Sequence, residues 1–211
     1  MSKKVAIVTG YAGFIGSTFT RRLLEEGWYL YCIDKFSYVS DMIQADRNHH
    51  DNYQRMQWIK GDISELDWLP ECDVIFNLAA ESDVDISAQD SSNFIQSNIS
   101  GVKNLLELIN KRIVIRADKP LFFQISTDEV YGDLKEGTYA EDATLNPSNP
   151  YAATKAAADL LIQSWARTYG LEYIIARPSN NYGPHQYPEK LIPLACKRLG
   201  RGKKIKLHNQ G

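Results

Sequence analysis

Tyr151 and Lys155 stand four residues apart in YAATK, a spacing that places both side chains on one face of a helix, one turn apart. The pair reads as a plain surface pairing on a helix or, because an ammonium beside a phenol lowers the phenol's pKa from its usual value of ~10, as a base toward a hydroxyl group. The lysine is then also placed to hold a ribose. A second set lies upstream, where Ser126, Thr127, Asp128 and Glu129 close an apolar run. Adjacent carboxylates in a site that excludes water acquire different pKa values, which gives one proton donor and one acceptor; the other reading of the pair is a solvated loop cap. A third set, Gly10, Gly13 and Gly16, follows the run VAIVT directly and leads into helical periodicity. Glycines spaced this way permit a tight turn and close backbone approach to a diphosphate at a helix N-terminus, or serve simply to pack helix on strand.

These residues need a scaffold that brings the ends of several strands together. Short β-branched runs alternate with longer helical patterns, which predicts an α/β fold, a doubly wound parallel sheet with helices on both faces. Strands are expected at about Val5–Thr9, Tyr29–Asp34, Met56–Gly61, Val74–Leu78, Leu121–Ser126 and Glu172–Arg177. Helices are expected after Gly13, over Ser64–Leu69, from about Ser91 to Lys111, from Tyr151 to Tyr169 and over Leu191–Leu199. Asp34 ends the second strand about 20 residues after the glycine turn, where a carboxylate accepts from both hydroxyls of an adenosine ribose and repels a 2′-phosphate. NAD is therefore favoured over NADP, although Lys35 is adjacent. Asp62 and Ile63, after the third strand, are placed to meet an adenine or to form a plain turn.

Composition narrows the partners. The 211 residues carry 24 basic and 26 acidic side chains, a net charge of −2 with no polycationic field for nucleic acid or an acidic membrane. Three widely spaced cysteines and four histidines suggest neither a disulfide framework nor a metal cluster, and fit a reducing compartment. No apolar run approaches the ~20 residues of a membrane span, and the N-terminus lacks a secretory core, so the expected location is cytoplasmic. The basic end (Lys197, Arg198, Arg201, Lys203, Lys204, Lys206) reads as a solvated face.

In order and spacing, GYAGFIGS, LAAES, STDEVYG, YAATKAAAD and RPSNNYGPHQYPEKLIP resemble the extended short-chain dehydrogenases/reductases. They most closely resemble the nucleotide-sugar 4,6-dehydratases of the dTDP-glucose 4,6-dehydratase kind, over essentially the whole chain. The most specific part is Thr-Asp-Glu combined with RPSNNYGP and EKLIP, because related epimerases generally lack the acid pair. The resemblance implies a Rossmann-like NAD-binding domain over residues 1–178 and the beginning of a substrate-binding region over 179–211. It implies cofactor contacts from Gly10, Gly13, Phe14, Ile15, Gly16, Asp34, Lys35, Asp62, Ile63, Leu78, Ala79, Ala80, Asn98, Ser126, Tyr151, Lys155 and Asn180. Substrate contacts would come from Glu81, Ser82, Thr127, Asn180, Glu189, Lys190 and Leu191, with no metal.

In the implied chemistry Tyr151 takes the proton of a hexose 4-hydroxyl and Lys155 tunes it, while Thr127 hydrogen-bonds the 4-oxygen. Glu129 removes the proton at carbon 5 and Asp128 protonates the departing 6-hydroxyl, giving a 4-keto-6-deoxy sugar nucleotide. Two positions depart from the family pattern, Asp83 and Ile86, where members usually carry His and Arg. The family continues past the final HNQG into more of its substrate domain, which implies a chain truncated after the cofactor domain or completed by a second polypeptide. A nucleotide-sugar 4-epimerase and a non-catalytic NAD-binding module are the alternative expectations. Small residues Ala152, Ala153, Ala156, Ala157 and Ala158, with Leu160, Leu161 and Trp165 and a stripe over Val102–Ile109, predict a homodimer through two helices per subunit.

Overall fold

The computed structural model describes residues 4–40, 54–116, 120–134 and 136–205, with the backbone alone for 112–116. Six strands, β1 (Val5–Thr9), β2 (Tyr29–Asp34), β3 (Met56–Lys60), β4 (Val74–Asn77), β5 (Leu121–Ile125) and β6 (Tyr173–Ala176), form one sheet. The order is β3-β2-β1-β4-β5-β6 and every pairing is parallel. Helices α1 (Phe14–Glu25), α2 (Val84–Gln89), α3 (Ser92–Phe94), α4 (Gly101–Arg116) and α5 (Pro150–Tyr169) connect the strands. By contacts the chain divides into a unit of Met1–Ser179 and a unit of Asn180–Gly211, the second holding α6 (Leu191–Leu199). Lys206 and HNQG lie outside the described residues. Among the described residues no helix is long and apolar enough to cross a membrane.

Alternation along the strands fills both faces of the sheet, as the doubly wound expectation requires. Ala6 and Val8 of β1 pack with Leu23 and Leu24 of α1, Leu30 and Met56 on one side. Ile7 packs with Ile75, Phe122, Leu105 and Leu106 of α4 and Ile162 of α5 on the other. Strand order reverses between β2-β1 and β4-β5, and in such sheets the crevice opens beyond the strand carboxyl ends at that point. A buried polar chain ties those ends together. Thr9 Oγ1 donates to Asn77 Oδ1 (2.5 Å), Asn77 Nδ2 donates to Gln124 Oε1 (2.7 Å), and all three residues are fully buried.

Several elements differ from expectation. Ser64–Leu69 is a turn rather than a helix: Asp62 Oδ1 accepts from Ser64 N, and Asn104 Nδ2 donates to the carbonyls of Ile63 and Leu66, which a helix would otherwise use. Leu66 and Leu69 still reach the core, so the apolar spacing reflects burial rather than helical form. Helix α2 is unexpected and is capped by Asp83, which accepts from Ile86 N at 2.9 Å. The expected helix from Ser91 is interrupted by a π-helical stretch at Ile95–Ser100 before α4 begins. Four strands end one residue earlier than expected, before Gly61, Leu78, Ser126 and Arg177, although the N–H groups of Gly61, Leu78 and Ser126 still donate to Asp34 O, Thr9 O and Ala176 O of the neighbouring strands.

Because Asn77 satisfies partners on two other strands, Asn77→Ala leaves buried polar atoms unpaired and should lower stability by about 1–3 kcal/mol. Urea unfolding checks this, and a loss below about 0.5 kcal/mol would show that the strand ends are held otherwise.

Candidate active site

The turn after β1 is shaped by what it has to pass. Gly10 has φ +68 and donates its N–H to Ile33 O at 2.8 Å, while a Cβ there would fall 2.7 Å from Ala79 N. At Gly16 a Cβ would overlap the Gly10 carbonyl oxygen. The packing reading of the glycines therefore holds: they let α1 close on the turn and let the turn pass close to the backbone after β4. Helix α1 starts at Gly13 with no side-chain cap and no acid in its first turn, so the N–H groups around Phe14, Ile15 and Gly16 suit an anion.

Beside this turn lies an open cleft. Nine of the residues expected to contact a cofactor, Gly10, Gly13, Asp34, Lys35, Asp62, Ile63, Leu78, Ala79 and Ala80, line it together with Glu81, which was expected on the substrate side. The Asp34 carboxylate accepts from Ala12 N (3.0 Å) and Phe36 N (2.7 Å), which bolts the glycine turn to the end of β2. Burial raises its pKa, with the N–H bonds of Phe36 and Ala12 opposing the shift.

Two expected cofactor residues have partners within the protein. Asn98 is buried in the π-helical stretch, accepts from Glu81 N, and donates to Glu81 O and Thr154 Oγ1, so it braces the Glu81 loop against α5. Ser126 Oγ donates to Asp159 Oδ2 at 3.0 Å. Ser82 follows Glu81 and is exposed. In the second unit Asn180 is exposed, Lys190 stands at the N-terminus of α6 with its Nζ 3.9 Å from Glu189 Oε1, and Leu191 begins the helix 63% exposed.

The candidate catalytic residues come together where β5 meets α5. Thr127 precedes a 3-10 turn at Asp128–Tyr131 and accepts from Glu129 N at 3.3 Å. Helix α5 starts with Asn149, whose Oδ1 accepts from Ala152 N and whose Nδ2 donates to Glu129 Oε2 at 2.9 Å. One residue thus caps the helix carrying Tyr151 and aims the carboxylate beside it. Ser87 Oγ of α2 accepts from Tyr151 N. The Tyr151 phenol is pushed up to about 12, by burial first and then by the negative charge of Glu129, while a hydrogen bond with Thr127 works the other way.

This corrects the expectation that Lys155 lowers the phenol's pKa. Lys155 is 3% exposed, donates to Ile125 O at 2.6 Å, and is itself brought down to about 8 by burial, with Asp159 opposing. Behind it, Arg177 Nε donates to Asp159 Oδ2 (3.0 Å) and Arg177 Nη1 to Tyr131 OH (2.6 Å), joining α5 to the acid-bearing turn. Asn149, Asp159, Arg177, Ser87 and Ser97 were not singled out from sequence. Only Asn149, a capping residue directly before Pro150, carried a local signal. Among the described residues no group of His, Cys, Asp and Glu is placed to hold a metal.

Sheet order, glycine turn and acidic strand end define an α/β protein with a doubly wound parallel sheet. Residues 7–210 match the model of the GDP-mannose 4,6 dehydratase family, and the chain belongs to that family. It is similar to the low-salt glycan biosynthesis protein Agl12 of Haloferax volcanii, with 40% identity over 97% of this chain and 66% of that protein. A crystal structure of DesIV, a dTDP-glucose 4,6-dehydratase from Streptomyces venezuelae with NAD and TYD bound, superposes with TM-score 0.85 and 38% identity over 94% of this chain and 62% of that one. UDP-glucuronic acid 4-epimerase from Bacillus cereus, in complex with UDP-glucuronic acid and NAD, superposes at 0.84 with 30% identity, over 94% of this chain and 64% of that one. The chain spans just under two thirds of these relatives' length.

Since Glu129 disfavours a phenolate at Tyr151, Glu129→Gln should move the Tyr151 titration down toward ~10. Ultraviolet difference titration against Tyr151→Phe reads it; an unchanged midpoint would mean that the carboxylate does not act on the phenol.

Proposed function

We propose that this chain is the NAD-binding and catalytic part of a nucleotide-sugar 4,6-dehydratase acting on a nucleotide-linked hexose of the dTDP-glucose type. The observation that carries the reading is the gathering of Asp128 and Glu129 against a phenol that Thr127 hydrogen-bonds. Removing and returning a hydride at one carbon, as an epimerase does, needs the phenol alone. Eliminating water needs in addition a base for carbon 5 and an acid for the 6-hydroxyl. Asp34, Lys35, Asp62 and Ala79 hold the adenosine end of the cofactor, and the first turn of α1 holds its diphosphate. When bound, NAD supplies a hydride acceptor and a positively charged ring, which offsets the raised pKa of Tyr151.

Tyr151 takes the proton of the 4-hydroxyl as the carbon is oxidised. The 4-ketone acidifies carbon 5, Glu129 removes that proton, and Asp128 protonates the 6-hydroxyl as water leaves. The hydride then returns to carbon 6 and Glu129 returns a proton to carbon 5, so the sugar is dehydrated with no net oxidation. Lys155 orients the nicotinamide ribose. Asn180, Glu189, Lys190 and Leu191 belong to the sugar-nucleotide side.

The test is run on this chain and on a longer polypeptide that contains it, with dTDP-glucose as substrate. Tyr151→Phe should abolish oxidation at carbon 4, by about 10³-fold or more. Glu129→Gln should still oxidise and then stall with reduced cofactor bound, seen in a single turnover by absorbance. Product epimerised at carbon 4, with its 6-hydroxyl intact, would contradict the reading.

The same proposal includes a homodimer. The stripe Val102–Ile109 does not support it, because Val102, Leu105, Leu106, Leu108 and Ile109 are buried within the single chain. Helix α5 does support it: Ala153 and Ser164 are exposed, Leu160 is 56% exposed, and Ala157 lies between them on one face. Light scattering should give twice the chain mass at micromolar concentration, and Leu160→Glu should halve it; one chain mass in the parent protein would contradict the dimer.

A further inference from the structure

Among the described residues Lys35 is the one cation lining the cleft that Asp34 shares, and it is not presented as a bare charge. Its Nζ lies 2.8 Å from Glu81 Oε1 and 3.8 Å from Asp62 Oδ2, and donates to Ser97 Oγ at 3.0 Å. The acids are more sheltered than the lysine: the side chains are 17% exposed at Glu81 and 24% at Asp62, against 36% at Lys35. The pairing joins three segments around the opening, the ends of β2 and β3 and the loop after β4, with the π-helical stretch supplying Ser97. The backbone that carries the Glu81 side chain is held by Asn98, which bonds its N–H and its carbonyl at 3.0 Å each.

We infer that Glu81 determines the preference for NAD over NADP, by holding the Lys35 ammonium in an ion pair that a 2′-phosphate would otherwise recruit. The inference rests on the reading that the adenosine ribose sits at Asp34. Asp34 repels a 2′-phosphate by itself, but a neighbouring free lysine would offset much of that repulsion. With the ammonium committed to Glu81, and secondarily to Asp62, the net charge facing the 2′ position is negative. That balance suits a diol and penalises a phosphate. The cofactor-discriminating group thus lies on the far wall of the cleft, some 47 residues from the acid that sequence motifs point to.

Calorimetric titration of the chain with NAD and with NADP, at low salt, tests this without any sugar substrate. Glu81→Gln should raise the affinity for NADP relative to NAD by about fivefold to tenfold, and the gain should shrink as salt is added. The same substitution in a Lys35→Met background should give less than about twofold. An unchanged ratio in Glu81→Gln would overturn the inference. So would an equal gain with and without Lys35, which would mean that Glu81 repels the phosphate by its own charge. Should the parent chain bind neither cofactor, the cofactor reading itself falls, an outcome that the parent titration alone reveals.

Discussion

The site depends on a steric constraint at the carboxyl end of β1. The chain must leave that strand, cross the place where strand order reverses, and enter α1 within four residues. It does so only because Gly10 adopts a left-handed conformation against the backbone of Ala79 and because nothing projects from Gly16 into the Gly10 carbonyl. Any side chain at Gly10 would be strained in φ and would collide with the β4 end. That close approach opens the cleft on one side of the turn and leaves the N-terminus of α1 uncapped on the other. Asp34 then clamps the turn from β2 through Ala12 N, so three strand ends and one helix start are set by a few short contacts.

Buried polar groups extend this rigidity to the reacting residues. Asn77 locks β1, β4 and β5, Asn98 locks the Glu81 loop to α5, and Asn149 locks the start of α5 to Glu129. Each is an amide that donates on one side and accepts on the other, which lets one side chain register two elements without introducing charge. Where charge is buried, it is arranged in a line: Lys155, Asp159 and Arg177, with Asp159 fully buried and accepting from Ser126 and Arg177. The phenol of Tyr151 stands near the acids Glu129 and Asp128, and the Lys155 ammonium turns toward Ile125 O.

Much of this was legible in the residues. Strand alternation, the glycine turn, Asp34 and the Tyr-Lys spacing are local patterns, and local patterns survive in sequence because they reflect backbone geometry and side-chain periodicity. What was not legible is what long-range pairing decides. The turn at Ser64 and the π-helical stretch at Ile95 depend on distant partners, such as Asn104, 38 residues from Leu66, and Thr154, 56 residues from Asn98, and no local signal announces them. The direction of the Tyr151 shift was read wrongly for the same reason: helix spacing places Lys155 on the right face, but the ammonium turns to a carbonyl of another strand. The apolar stripe on α4 was read as an interface, although it covers the sheet of its own chain.

The central claim is that the first unit, by itself, presents a dinucleotide site at the switch point of its sheet. Amide chemical shifts of the isotope-labelled chain, followed during titration with NAD, test it most directly. Saturable shifts at Gly10–Phe14, Asp34–Phe36, Asp62 and Ala79–Glu81, with β3 and the far ends of the strands unmoved, are the predicted result. Saturable shifts centred elsewhere, or no saturation at millimolar NAD, would contradict it.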